Sequence, residues 1–279
     1  MLSNTLTLKG KIRTILSQCK TIFFNILNIK RRVVLNKSWN NLKFPKKNSV
    51  IIIANGPSFN KEIAEEIILK RNFFDIAVMN NYHLNDFSKK LIPDYYVLSD
   101  PQHVETKNEN QLEIINLLKN FFLNSKINLL TPYDKRWEFY KKPFLQFNDT
   151  QNLRSNNIDP RNPRGYRSNT AFKAIALMLA IGYENIFILG FDYEYPRKIY
   201  VDENNNIYLK NEFSFGEQKL DLSNHFDSIA HAMHWWSEDY WHLKKLRSKK
   251  IINVTEKSMI DVFTRMKPDD FINYIKKIS

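Results

Sequence analysis

The sequence predicts an α/β fold: a mostly parallel sheet covered by helices on both faces, interrupted by a long polar segment and preceded by a basic amphipathic helix. Three observations carry this. From Ser49 onward, apolar runs of strand length alternate with amphipathic stretches of helix length. The runs are continuous rather than alternating, as strands buried on both faces require. Strand following helix in turn is what a parallel sheet with crossover helices needs.

In the opening segment, Leu8, Ile12, Ile15, Cys19, Ile22, Ile26, Ile29 and Val33 recur at spacings of four and three, with Leu16, Phe23 and Leu27 widening the stripe. That is one face of a helix. Trp39 to Lys47, with Pro45, reads as a linker. Strands are expected at 50–54, 75–79, 95–99, 127–130, 186–189 and 251–254, and helices at 61–70 and 111–122. A long apolar helix over 170–181 is ended by Gly182. The stretch 195–228 is polar, aperiodic and too long for an ordinary connection, so it reads as a lid or a disordered segment. A helix at about 228–246 carries Met233, Trp236, Tyr240 and Leu243 on one face, and a tail helix falls within 266–279. The organisation is a basic segment at 1–47, a catalytic domain at 48–265 and the tail.

The chain has 279 residues, 43% of them hydrophobic and 14% aromatic, which excludes a collagen-like, mucin-like or wholly disordered protein. Formal net charge is +13. No acidic residue precedes Glu62, and eleven of those charges belong to Lys9, Lys11, Arg13, Lys20, Lys30, Arg31, Arg32, Lys37, Lys43, Lys46 and Lys47. A helix apolar on one side and only positive on the other suits an anionic bilayer surface, and equally suits packing on the catalytic domain or on a copy of itself. Its aromatics lie in the stripe, not among the charges, which argues against nucleic acid. One cysteine, Cys19, precludes an internal disulfide. No apolar run reaches the ~18 residues of a membrane span, and a peripheral protein of the cytoplasm is the expectation.

Four groups of residues carry chemistry. Ala54-Asn55-Gly56-Pro57-Ser58 follows the first strand and is read as opening a helix, with Gly56 permitting close approach and Pro57 in the first turn. A helix start at a strand's carboxyl end offers N–H groups and a positive dipole to phosphate, although an Asn-Gly turn is most often only a turn. Asn80 and Asn81 follow the second strand and Ser99-Asp100 the third, so that three strands end in short polar side chains, the mark of a pocket at one sheet edge. Arg167-Ser168-Asn169-Thr170 leads into the apolar helix, either as an anion site or as a plain N-cap. His225, His231 and His234 match no zinc spacing, and no Asp-x-Asp pair occurs; Asp192-Tyr193-Glu194 is a poor substitute. If the helix starts near Ser228, His231 lies in its first turn and is the candidate general base, a surface or packing role being the plain alternative for any one of these histidines.

Together these blocks resemble the bacterial sialyltransferases of glycosyltransferase family 42. Residues 54–58 are similar to that family's first-strand motif, Asn80 falls at its second pocket asparagine, and 167–193 is similar without a gap to its Arg-x-Thr-Ser segment, helix, Gly-Tyr and Gly-x-Asp-aromatic strand end. An ungapped match through Ser258 puts His231 on the family's catalytic histidine. The resemblance implies a single Rossmann-like nucleotide-binding domain with a lid, and metal-independent, inverting transfer of a nonulosonic acid from a CMP-activated donor, with no cofactor. His231 would deprotonate the acceptor hydroxyl, and Arg167, grouped with it as catalytic, would help hold the nucleotide, phosphate and sugar. Asn55, Gly56, Ser58, Asn80, Asp100, Ser168, Asn169, Thr170, Tyr195 and Tyr200 would bind the donor. Two positions depart: Asp100 replaces an asparagine, and Glu194 replaces one of two phosphate-binding tyrosines, the other matching Tyr200, with Tyr195 one residue from the vacant role. A lipid-linked cell-surface glycan is the expected acceptor, at the inner face of a bacterial membrane; a homo-oligomer stays open. The alternatives are a pterin pyrophosphokinase-like or flagellin-glycosylation protein, and a non-catalytic membrane-surface protein.

Overall fold

The computed structural model describes residues 26, 28–42, 47–105, 109–123, 126–140, 143–222 and 228–278; Cys19, most of the opening stripe and His225 lie outside them. In chain order the strands are β1 (Ser49–Ile53), β2 (Asp75–Met79), β3 (Tyr95–Val97), β4 (Asn128–Pro132), β5 (Leu145–Phe147), β6 (Asn185–Leu189), β7 (Ile199–Val201), β8 (Ile207–Phe213), β9 (Gly216–Asp221), β10 (Ile251–Asn253) and β11 (Thr264–Arg265). The helices are α1 (28–40), α2 (Lys61–Leu69), α3 (Glu109–Leu123), α4 (Thr170–Ile181), α5 (Ile229–Leu243) and α6 (Pro268–Lys277).

Eight strands form one sheet in the order β11-β10-β6-β1-β2-β3-β4-β5, parallel at every pairing. The fold is therefore α/β and Rossmann-like. Strand order runs outward in both directions from β1 and β6, and in such sheets that switch point is where a crevice opens at the carboxyl ends. The side-chain period of two splits β1 between two cores: Val50 and Ile52 face the layer of α1 and α4, Ile51 and Ile53 that of α2, α3 and α6. α4 is buried nearly all round and ends at Gly182, whose φ of 107° a side chain would disfavour. α6 is no loose tail, for Phe271 sits 5.1 Å, centroid to centroid, from Phe187 of β6.

Several expectations are corrected. The turn at 54–58 does not open a helix: α2 begins at Lys61 with Asn60 as its cap, and Pro57 lies outside it. Trp39 is not linker but the buried last turn of α1, its indole N–H donating to the Gln146 carbonyl at 2.9 Å. α5 faces inward through Ala232, Trp236, Asp239 and Leu243, while Met233 is exposed. The segment 195–221 is ordered as a three-stranded antiparallel sheet, β7-β8-β9, after a short 3-10 turn at Tyr195–Arg197. Its polarity hid it because only a few residues, among them Leu209, pack inward, against Trp236. The tip of its β8–β9 hairpin reaches back to the first turn of the domain, where the Ser214 N–H donates to the Asn55 carbonyl at 2.9 Å.

Lys173, buried within apolar α4, owes its place to Asp149, whose carboxylate meets its Nζ at 2.9 Å and the Arg164 Nε at 2.9 Å. Burial pulls the lysine's pKa down and Asp149 opposes it. This cluster fastens the loop carrying Arg167 to Thr170 onto the helix it starts. Asp149→Ala leaves two cations unpaired and is expected to cost about 3 kcal/mol in urea unfolding. Lys173→Met, which leaves Asp149 paired with Arg164, is expected to cost under about 1 kcal/mol, and equal losses in the two variants would refute the cluster's role.

Candidate active site

A cavity of about 800 Å³ lies at the carboxyl ends of the strands, roofed by the β8–β9 hairpin. Its wall begins where β1 and β6 end side by side. The Gly56 N–H donates to the Gly190 carbonyl at 2.9 Å, and a Cβ on Gly56 would run into that carbonyl and the Asp192 carboxylate. Gly190 has φ +67°, and a Cβ there would stand 2.6 Å from the Ala54 carbonyl oxygen. Gly56 thus permits the approach of one loop to another rather than of loop to ligand.

Next along the rim, Asn80 adopts φ +46°, a left-handed turn that asparagine tolerates. Its Nδ2 donates to Thr170 Oγ1 at 3.1 Å, and the same hydroxyl lies 2.8 Å from Ser99 Oγ. β2, β3 and the start of α4 are thereby tied together. Asn169 is the α4 cap, accepting from the Ala171 N–H at 2.9 Å, so the plain-cap reading holds for it while it also lines the cavity. Asp100 lines the cavity too and accepts from the Gln102 N–H. The Oδ1 atoms of Asn55, Asn80 and Asn81 are buried with no hydrogen-bond partner. Three orphan acceptors in one wall suit a ligand rich in hydroxyl or amino donors.

Of the predicted residues, Asn55, Gly56, Asn80, Asp100, Ser168, Asn169, Thr170 and Tyr195 line this cavity. Ser58, Arg167, Tyr200 and His231 are not among its lining residues. Ser58 stands behind it, donating from its hydroxyl to Asp192 at 2.9 Å. Tyr200 lies in β7, more than a third exposed and stacked on Tyr208. Arg167 is engaged by α5, paired with Glu238 and laid over the Trp235 ring at 4.2 Å. His231 does occupy the first turn of α5, its N–H capped by Ser228 Oγ at 3.2 Å, with an exposed ring edge-on to Trp235 at 6.4 Å. A row of Arg167, Trp235 and His231 therefore joins the cavity residue Ser168 to the start of α5. Among the described residues no group of three or more His, Cys, Asp or Glu could hold a metal ion.

Lys198 was not singled out in the sequence, and Asp192 only as part of a poor metal motif and of the strand end similar to family 42; both line the cavity. Lys198 is the one Lys or Arg among the described lining residues, against five carboxylates: Asp100, Asp192, Glu194, Glu212 and Glu217. Its ammonium pairs with Glu212 and stands 3.9 Å from Glu194. Asp192 is buried, and that burial pushes its carboxyl up to about 6; Ser58 pulls against the shift and the charge of Glu194 adds to it. Beside it Tyr193 takes φ +54°, unusual for a bulky side chain, and is held there by its hydroxyl bond to Asp239 and by Tyr240, which donates to its carbonyl at 2.7 Å. The ion pairs of Lys198 and the burial of Asp192 mark them, and neither is written in the local sequence.

No family model and no curated protein matches the chain. Fold and cavity define a doubly wound α/β protein with a cavity at its switch point. A solved structure, the MAf glycosyltransferase from Magnetospirillum magneticum AMB-1, shares that fold with a TM-score of 0.51 at 14% sequence identity, over 89% of this chain and 41% of that one. The chain spans less than half of that protein's length, and at such identity the likeness is one of fold alone.

Asp192 makes stability depend on pH. Its folded pKa lies above its unfolded one, so between about pH 4 and 6 the folded protein holds the extra proton, and stability falls as pH rises through that window. Asp192→Asn is expected to flatten this slope and to raise stability above pH 7 by about 2 kcal/mol. Urea unfolding at pH 5 and pH 8 checks it; an unaltered slope would overturn the assignment.

Proposed function

We propose that this chain is a glycosyltransferase that moves a nonulosonic acid from a CMP-activated donor to an acceptor hydroxyl with inversion, as its resemblance to family 42 implies. The observation that carries the reading is the convergence, on one switch-point cavity, of sequence blocks at 54–56, 80, 100 and 168–170. The orphan asparagine acceptors suit the hydroxyl and amino donors of a cytidine and a polyhydroxylated sugar. The positive end of α4 and the Lys198 ammonium are the groups available to a phosphate. A monophosphate leaving group needs less neutralisation than a diphosphate, which fits metal-independent chemistry. His231 takes the proton of the attacking hydroxyl, with Arg167 and Trp235 fixing its place. A second reading gives that proton to Asp192, favoured by a cavity carboxyl whose pKa sits near the working range of a base. The likeness to a glycosyltransferase favours sugar transfer over pyrophosphokinase chemistry.

CMP is expected to raise the melting temperature, and ATP with magnesium to leave it unchanged; the reverse pattern would select the pyrophosphokinase alternative. Lys198→Gln is expected to weaken CMP about tenfold or more and to leave cytidine binding alone, since only the phosphate meets the ammonium. Equal losses for both ligands would remove Lys198 from the phosphate site.

His231→Ala is expected to keep CMP affinity while lowering transfer by a factor of about 10² to 10⁴. If that variant transfers normally and Asp192→Asn does not, the base is Asp192.

A further inference from the structure

The opening helix carries two faces, and the one that packs is not the one its apolar spacing suggests. α1 docks through Asn28, Arg31, Leu35 and Trp39. Leu35 and Trp39 enter the core beside α4, Asn28 Oδ1 accepts from Asn148 Nδ2 at 3.2 Å, and the Arg31 guanidinium donates to Thr150 Oγ1 at 2.6 Å. On a helix of 3.6 residues per turn the opposite face is Ile26, Ile29, Val33 and Lys37, with Lys30 and Val34 flanking it. That face is open: Ile26, Ile29 and Val33 are 57%, 58% and 63% exposed, and Lys30, Arg32 and Lys37 are exposed around them. Arg31 also lies 5.9 Å from the centroid of Tyr133, an aromatic more than a third exposed.

From this geometry we infer that the outer face of α1 is a docking surface for an anionic lipid bilayer. Isoleucine and valine in a row, bordered by lysines whose stems can lie along the apolar phase while their ammonium groups reach headgroups, form the pattern of a helix lying in the membrane interface. A second copy of the chain fits the face less well, because a self-complementary contact would bring two faces bordered only by cations together, and no acidic residue occurs before Glu62 to relieve them. Asn28 and Arg31 grip Asn148 and Thr150, just past the carboxyl end of the edge strand β5, which fixes the docked face of α1 and leaves the opposite face outward. The inference stands whether or not the transferred sugar is a nonulosonic acid.

Co-sedimentation of the full chain with phosphatidylcholine vesicles, with and without phosphatidylglycerol, tests it. The wild-type chain is expected to bind only the vesicles containing phosphatidylglycerol. Lys30→Gln with Lys37→Gln is expected to lower that binding about thirtyfold at low salt. Ile29→Ser with Val33→Ser is expected to lower it about tenfold or more. All four positions are exposed, so the thermal transition and CMP affinity should stay at wild-type values in both. Unchanged binding in both variants places attachment elsewhere and overturns the inference, as does equal binding to neutral vesicles or no binding at all. A wild-type dimer that either variant converts to monomer would make the face a self-interface and overturn it too.

Discussion

Backbone meets backbone at the junction of β1 and β6, and the rest of the site hangs on that approach. Gly56 and Gly190 leave their neighbours room to come within hydrogen-bond distance; a methyl group at either position would force two carbonyl-bearing loops apart. Once they are together, Asp192 is pressed under Ser58 and out of water, which lifts its pKa. The Asn55 carbonyl is left pointing at the roof, where Ser214 takes it up. A steric condition at two residues thus becomes an electrostatic property of one carboxyl and a fixed position for the hairpin above it.

The strain at Tyr193 belongs to the same junction. A large side chain in the left-handed region persists only where its surroundings hold it, and here the holders come from α5: Asp239 on the hydroxyl, Tyr240 on the carbonyl. Asp239 also stands 4.0 Å from Arg167 Nε. The wall of the cavity and the row of side chains ending at His231 therefore share one carboxylate, so a disturbance in α5 reaches both the donor side and the proposed base.

What the sequence made legible follows from length scales. Runs such as Val50 to Ile53 and Ile186 to Leu189 are buried on both faces, and their continuous apolar character declares a parallel sheet without help from tertiary context. β5 and β11, at three and two residues, are too short to show a period. β7 to β9 were hidden because a small sheet with one face largely in solvent need not bury alternate residues. In α1 the apolar stripe was visible, yet burial went to the opposite face: Leu35 and Trp39 outweigh Ile29 and Val33 because Asn28 and Arg31 find hydrogen-bond partners on that side. The asparagines of the site were readable as strand-end polarity. Lys198 was not, since its meaning comes from Glu194 and Glu212, the latter fourteen residues away on another strand.

Charge in the cavity constrains how an anion could enter. Lys198 already satisfies Glu212 and faces Glu194, while Asp100, Asp192 and Glu217, the last paired with Lys210 at 3.1 Å, line the same cavity. A phosphate arriving there gains one cation and must turn two carboxylates away from it, in a site where like charges are poorly screened. Glu212 sits on β8, and its other partner, Lys210 at 3.0 Å, lies on the same strand. Taking Lys198 from Glu212 loosens the bond between the cavity wall and the roof, while Lys210 keeps Glu212 neutralised within the roof. Neutralising Asp192 below about pH 6 removes one negative charge from the cavity, so binding of the proposed phosphate donor would be linked to hairpin position through the same few side chains.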